Sequence, residues 1–489
     1  MSANGHALRH RRHLHGRSRP RRPAAAPGQG GPMSGAGQMA RETAGLERAG
    51  AWITEAVEAA VADLGAMIAV DTSFPPGQGY GDFARLMEAM TRPLGFEVER
   101  IDVPDELWLV PNGPAAGART NLIATAKSGK PVCGLYFHVD TVPAAPGWTT
   151  DPLSIARDGE RLIGLGAADM KGCIAAVLLA LRAAKACGIE LAYDPMLLFC
   201  TDEEGGLYPG IRYLGEQGRL YGPVGAEQGR PDGHIVNFNG SAEARIWAGC
   251  FGLFNLLVRV RGQAVHAGEG NRQGLGLNAI EGSLPLLNAL AVLKAQVATR
   301  LSALPPPPGK PALAAQLNIA ALSGGTAGGQ VPALLELTLN RRYMPEEAFE
   351  DALAEIEDAI RRAVASVPGL TVETVLTGHL APTSDPAGPH WPRWQAAVGA
   401  GFGYAPEDFR RWGAASCSDF GWVQRATGRP EVLLGGLGRP DRNIHAPGEY
   451  TTVSDIIALA RAVLAYLAAD FRPELNPDLA SPEHHLSRS

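Results

Sequence analysis

The sequence predicts an α/β protein, with a mostly parallel sheet covered by helices on both faces and a smaller β-α-β-β-α-β unit inserted into it. Three observations predict this. Short, continuous apolar runs alternate with helical patterns near both ends of the chain, as expected of strands buried on both faces. The middle of the chain changes to an alternating strand pattern, in the order of a split βαβ sandwich. The length, 489 residues, exceeds the size at which one hydrophobic core usually stops growing, so two domains are expected.

Residues 54–69 carry helical spacing, and Pro-Val-Cys-Gly-Leu-Tyr-Phe-His at 131–138 is a continuous apolar run typical of a buried strand. Residues 171–187 are an Ala- and Leu-rich helix, with Gly188 placed as its stop. Residues 195–201 and 431–435 read as two further buried strands, and 453–471 as a long closing helix. Between these, 252–262 is an alternating strand and 277–298 a helix with Pro285 in its interior. A stiff Pro-rich loop at 305–309 precedes a strand at 316–322, a Gly-rich turn at 324–329 and a strand at 334–341. A helix at 346–367 and a strand at 370–377 complete the unit. The expected organisation is a tail (1–40), a first half of the main domain (41–248), an insertion (249–378), a second half (379–473) and a short tail (474–489).

The apolar fraction of 45% and charged fraction of 19% are those of an ordinary globular protein. The net charge of −6 conceals a basic start: residues 1–41 contain no Asp or Glu, and seven arginines lie between Arg9 and Arg22. Such a tail buries too little apolar surface to fold. It is expected to be a flexible extension, or to precede a true start at Met33 or Met39, rather than to bind nucleic acid. No apolar run follows the arginines, so it does not read as a secretory leader, and no run has the length of a membrane span. None of the six cysteines forms a Cys-x-x-Cys pair, and most sit in apolar runs. They read as buried, reduced thiols in a cytoplasmic protein. His234, His379 and His390 are expected as ordinary surface or loop residues.

Four clusters carry chemistry. In His138-Val-Asp140 the two side chains share one face of a strand, so the carboxylate can take the imidazole N–H and turn the other nitrogen to a metal; an ordinary strand-end ion pair would look the same. Asp169 lies in a glycine-lined turn before the Ala/Leu helix, where it could be a helix cap or a carboxylate bridging two metal ions. Asp202-Glu203-Glu204 follows a buried strand, and three successive acids there need a cation, solvent or a proton to coexist. His445 follows the last apolar strand in Asn-Ile-His-Ala-Pro-Gly-Glu449. Together they place His, Asp, Glu and His at the ends of separate strands, a nitrogen and oxygen donor set suited to a zinc pair.

With these motifs, in this order and spacing over about residues 50–470, the chain resembles the acetylornithine deacetylase, succinyl-diaminopimelate desuccinylase and carboxypeptidase G family of two-zinc amidohydrolases. The resemblance implies a zinc-exopeptidase-like fold whose inserted domain is a lid that also dimerises. It implies His138, Asp169, Glu204, Glu227 and His445 as metal ligands, with Asp140 orienting His138 and Glu203 as general base. Glu227 falls where the family has a Gly-Glu-Pro motif, the proline being Gln228 here. His266 fits the lid histidine that polarises the scissile carbonyl, usually across the dimer, and Arg342 the arginine that holds a substrate carboxylate. Gln330, in Gln-Val-Pro, stands where relatives have Asn-Val-Pro and is expected to bind substrate.

The activity implied is hydrolysis of the amide bond of a small N-acylated amino acid carrying a free carboxylate, with two Zn2+ that Co2+ or Mn2+ could replace. The runner-up is a metallo-exopeptidase, a dipeptidase or carboxypeptidase with the same metal centre. A non-catalytic metal-binding protein is disfavoured because Glu203 and the ligands are all present. Homodimerisation through the lid is expected, and neither nucleic acid nor membrane as partner.

Overall fold

The computed structural model describes residues 35–221, 233–269 and 276–472. The chain divides into two units, residues 1–41 and 42–489, and the second holds all three sheets. The largest sheet in the first core runs in the order Glu97–Val103, Arg119–Thr125, Asp194–Cys200, Val132–His138, Gly233–Asn237, Leu433–Leu434. The last four are mutually parallel, whereas the first two run antiparallel to their neighbours. This antiparallel edge was invisible as a buried run because the outer strand, Glu-Val-Glu-Arg-Ile-Asp-Val, is mostly exposed and charged, as edge strands commonly are.

Val132–His138 lies at the centre and is buried at every position after the first. Its Phe137 stacks between Phe199 and Phe238, with ring centroids 5.5 and 5.2 Å away. Because its neighbours on the two sides come from different crossovers, the strand order reverses around it, and the carboxyl ends there open a crevice. Helix Lys171–Cys187 is apolar nearly all round and correspondingly buried. It packs against Val57–Ile68 and Val453–Leu467 and stops at Gly188, whose φ of 65° is the left-handed cap that glycine adopts without strain.

The second large sheet is antiparallel, in the order Thr371–Leu380, Arg245–Arg261, Leu334–Tyr343, Gln316–Gly324. Phe254, Leu256, Val258 and Val260 join Leu335, Leu337 and Leu339 from it and Ile356 and Ile360 from helix Phe349–Ala365 in a second core. Pro285 does not interrupt a helix here. Asn278 caps a short turn at Ala279–Gly282, and Pro285 sits in the first turn of a new helix, Leu284–Val297, where its missing N–H has no partner to lose.

Strand Arg245–Arg261 is longer than its sequence pattern implied. Its first residues pair with Thr383–Ser384 and Arg410–Cys417, so Trp247 and Cys250 lie in the first core before the strand enters the second. A small sheet of Ala156–Asp158, Arg161–Ile163 and Tyr450–Thr452 ties the end of the chain to the turn before Asp169.

The expectation of surface histidines is corrected. His234 and His379 are buried on strands Gly233–Asn237 and Thr371–Leu380. Tyr466 Oη–H donates to His234 Nε2 at 2.5 Å and Tyr343 Oη–H to His379 Nε2 at 2.9 Å. Burial lowers both imidazoles to about 3, so both are neutral acceptors. His390 is half-buried, stacked on His234 and 2.7 Å from the Glu431 carboxylate. Reading strands as apolar runs hides a histidine whose polar nitrogen has a buried donor. All six cysteines are free, four of them buried. Among the described residues no helix is long and apolar enough to cross a membrane.

Candidate metal centre

His138 ends the central strand and is almost completely buried. Its Nδ1 lies 3.0 Å from the backbone carbonyl of Asp140, which leaves Nε2 directed outward, 3.0 Å from Asp169 Oδ1. The orienting group is therefore the Asp140 carbonyl; the nearest oxygen of its carboxylate stands 3.9 Å away. The Asp140 carboxylate instead accepts the backbone N–H of Glu204 at 2.8 Å, fastening the acidic turn to the histidine strand. Burial, with Asp202 and Glu204 adding to it against His138, pushes Asp140 up to about 7.

Asp169 is presented by a loop that one carboxylate holds in place. Glu449 Oε1 accepts the N–H groups of Ala168 and Asp169 at 2.9 and 3.0 Å, and Oε2 accepts that of Gly166 at 3.1 Å. Burial opposes ionisation of Asp169, but the imidazoles of His138 and His445 outweigh it and hold the carboxyl well below its usual range.

Asp202, Glu203 and Glu204 separate by direction. Asp202 adopts φ of 65°, a conformation unusual for a non-glycine residue, and points away from the cavity. Its two oxygens accept Tyr80 Oη–H and Arg119 Nε–H, each at 2.8 Å. Glu203 is buried, and its Oε1 accepts Asn239 Nδ2–H at 2.7 Å. Burial raises Glu203 well above the usual carboxylate range, against His138 and with help from Asp419, Glu204 and Asp169. Glu204 meets His445, whose Nε2 lies 3.1 Å from Glu204 Oε1 and 3.5 Å from Asp169 Oδ2. These two carboxylates outweigh burial and lift His445 to about 11.

Asp169, Glu203, Glu204, Asn239, Arg342 and His445 line one open cavity of about 530 Å³. Arg342 donates to the Ala415 carbonyl at 3.0 Å and contacts Cys417 Sγ at 3.5 Å. His266 and Gln330 are brought to one another, through a backbone bridge, but neither lines this cavity; both are exposed. Glu227 lies outside the described residues. Sequence reasoning missed Asn239, Arg119, Tyr80 and Asp419, whose carboxylate is buried beneath the site and accepts Tyr136 Oη–H. No local motif marks them, because each reaches the site from a distant part of the chain.

The donors present fit metal ions. Two ligands held 2.0–2.2 Å from a tetrahedral ion lie about 3.3 Å apart. His138 Nε2 to Asp169 Oδ1 is 3.0 Å, Asp169 Oδ2 to His445 Nε2 3.5 Å and His445 Nε2 to Glu204 Oε1 3.1 Å. The two oxygens of Asp169 thus face two different histidines, the arrangement of a carboxylate bridging a pair of ions. His138, Asp169 and Glu204 offer ligand atoms all within 4.8 Å of one another.

Comparison with known proteins agrees with this geometry. An acetylornithine deacetylase of Erwinia tasmaniensis is 30% identical over 298 residues, 59% of this chain and 67% of that one. One from Klebsiella pneumoniae is 30% identical over 295 residues, with the same coverage. In fold, the chain is similar to the dipeptidase Dug1p of Saccharomyces cerevisiae (TM-score 0.69, 17% identity, 86% of this chain and 97% of that one). It is likewise similar to human carnosine dipeptidase 1 (TM-score 0.68, 19% identity, 86% and 98%). The model of peptidase family M20/M25/M40 matches residues 134–469, which contain every metal-facing side chain described above, and the chain belongs to that family of metal-dependent amide-bond hydrolases.

Proposed function

We propose that this protein is a zinc-dependent hydrolase that cleaves the amide bond of a small N-acylated amino acid bearing a free carboxylate. The observation that carries the reading is the Asp169 carboxylate shared between His138 and His445, with the buried Glu203 on the wall of the same cavity. His138, Asp169, Glu204 and His445 would hold two zinc ions, with Glu227 as a further ligand. Bound there, the ions supply a water of lowered pKa and a Lewis acid for the carbonyl oxygen.

The side chains do the rest. Glu203, kept protonatable by burial, takes a proton from the attacking water and delivers it to the departing nitrogen. Asn239 holds Glu203 Oε1 in position for both transfers. Arg342 grips the substrate carboxylate through its planar fork, which Lys would reproduce poorly. Asp140 joins the His138 strand to the Glu204 turn, so ligands from two strands keep one geometry.

Residues 249–378 are read as an inserted lid. The exposure of His266, beside Gln330 and away from its own cavity, supports a role in the site of a second copy of the chain. Six free cysteines support a cytoplasmic location.

Metal analysis by mass spectrometry, with a hydrolysis screen of N-acyl amino acids and dipeptides, tests the reading on wild type and Glu203→Ala. Two equivalents of zinc are expected in both, with turnover reduced by a factor of about 10²–10⁴ in the variant. No metal after zinc reconstitution, or undiminished turnover in the variant, would sink it.

A further inference from the structure

Four arginine or histidine cations line the cavity, and two of them lack a carboxylate partner among the described residues. His445 faces Glu204 and Asp169, and Arg439 is held by Asp455, which accepts from its Nε and Nη2 at 3.0 and 2.9 Å. Arg342 and Arg245 form no ion pair. Arg245 is the more deeply set. Its Nε and Nη2 both donate to a single acceptor, the Trp412 carbonyl, at 3.3 Å, and the Trp412 ring lies 5.3 Å from the guanidinium carbon. A guanidinium has five N–H donors, so most of those on Arg245 are left for a ligand. Burial lowers it to about 10, against the opposing influence of Cys250 and Glu243. Glu243 lines the same cavity without forming an ion pair. A buried charge of this kind is unfavourable until an anion joins it.

The two arginines are far apart along the chain path. Arg342 pairs across the sheet with Leu253, eight residues beyond Arg245 on the same strand. At about 3.3 Å per residue that sets an upper limit of roughly 26 Å between the backbone positions. A ligand meeting both must carry its anionic groups at opposite ends.

We propose that Arg245 is a specificity-determining residue that binds a second carboxylate, so that the substrate is an amide with an anionic group on each side of the scissile bond. The amino-acid carboxylate sits on Arg342 and the carboxylate of the acyl half on Arg245. This rests on the amide-hydrolase reading above and narrows its substrate class. It also departs from the relatives named for an acetyl group, which carries no charge.

The test compares N-succinyl and N-butanoyl derivatives of one amino acid, acyl groups of equal length that differ by a single carboxylate. Wild type is expected to favour the succinyl compound by about tenfold or more in kcat/KM, the size of one charge-assisted hydrogen-bond pair, with the difference in KM. In Arg245→Met the preference should fall towards one, and Arg245→Lys should restore part of it. Equal hydrolysis of both compounds by wild type, or a preference that Arg245→Met retains, overturns the inference alone. A zinc-loaded protein that hydrolyses neither compound and no dipeptide overturns the amide-hydrolase reading, and the inference falls with it. Should Arg245→Met fail to fold, Arg245→Lys decides: it keeps the charge and loses the fork, and an undiminished preference in it counts against the assignment.

Discussion

Glu449 shows how a residue outside the chemistry can set it. Its carboxylate accepts three backbone N–H groups from the loop that presents Asp169, nearly three hundred residues earlier in the chain. Glu449→Gln leaves the size unchanged but turns a donor towards one of those N–H groups. Loss of roughly 1–3 kcal/mol of stability is expected from the unmet hydrogen bond. Zinc affinity should fall by about 10–100-fold, as for other groups that orient ligands; competition with a chelator measures it, and unchanged affinity would show that Asp169 holds its place without Glu449. Two other buried residues set the response to acid. His234 and His379 each accept a tyrosine hydroxyl and sit near pKa 3 when folded, against about 6.5 when unfolded. The unfolded chain therefore binds more protons between these values. Stability should be fully present above about pH 6.5 and decline as pH falls towards 3, by up to about 1.4 kcal/mol per pH unit for each histidine. Urea unfolding of wild type and His379→Gln at pH 7 and pH 5 checks the sign, and the variant should show the smaller pH dependence. His138, Asp169, Glu203 and His445 were legible in sequence because each stands at a strand end in a compact motif. Glu449 was visible as a letter in such a motif, but its task depends on a partner loop that no spacing indicates.

At the level of elements, the acidic turn is built by a cage. Arg119 is fully buried between the rings of Phe74, Tyr80 and Trp108, the last 3.9 Å from its guanidinium carbon. It donates to Asp202 and to the carbonyls of Pro76, Ala116 and Gly117. The turn is as tight as glycine permits: a Cβ on Gly206 would lie 2.3 Å from that of Asp202. Arg119→Met should strand Asp202 as an unpaired buried charge, at a cost of about 3–5 kcal/mol in denaturant unfolding. It should also loosen Glu203 and Glu204, so zinc binding should weaken by more than stability alone explains; a variant that unfolds earlier but binds zinc as wild type would reduce the cage to a structural role. The Asp-Glu-Glu run could be read as a site, yet which acid faces inward could not, since that follows from an arginine on the antiparallel strand Arg119–Thr125. That strand was itself missed, because its neighbour at the sheet edge is polar and carries no apolar run. The second sheet was legible in full order because alternation and the periodic helix Phe349–Ala365 are local signals. The start of strand Arg245–Arg261 was not, because its first residues pair with segments more than a hundred residues away.

Over the whole molecule, one strand runs through both cores, so a force on the second sheet is carried directly to the wall of the cavity. The second sheet ends in Gln316–Gly324, which pairs with Leu334–Tyr343 on one side only. Ile319 and Leu322 on this edge are 41% and 54% exposed, and Leu284 and Val292 on helix Leu284–Val297 are 57% and 59% exposed. A long edge bearing apolar residues is a template for another strand, and monomeric proteins usually blunt such edges with charge. Here the strand Gln-Leu-Asn-Ile-Ala-Ala-Leu-Ser-Gly carries none. A second copy of the chain, paired edge to edge about a two-fold axis, would cover these residues and extend the sheet. The same pairing would give His266 an employment that its position in its own chain does not. Leu322→Lys places a charge on the edge without touching the cavity. Analytical ultracentrifugation should find wild type as a dimer and this variant shifted to monomer. If His266 acts in the partner's site, the monomer should keep two zinc equivalents yet lose most turnover, whereas a fully active monomer would confine the reaction to the residues of a single chain.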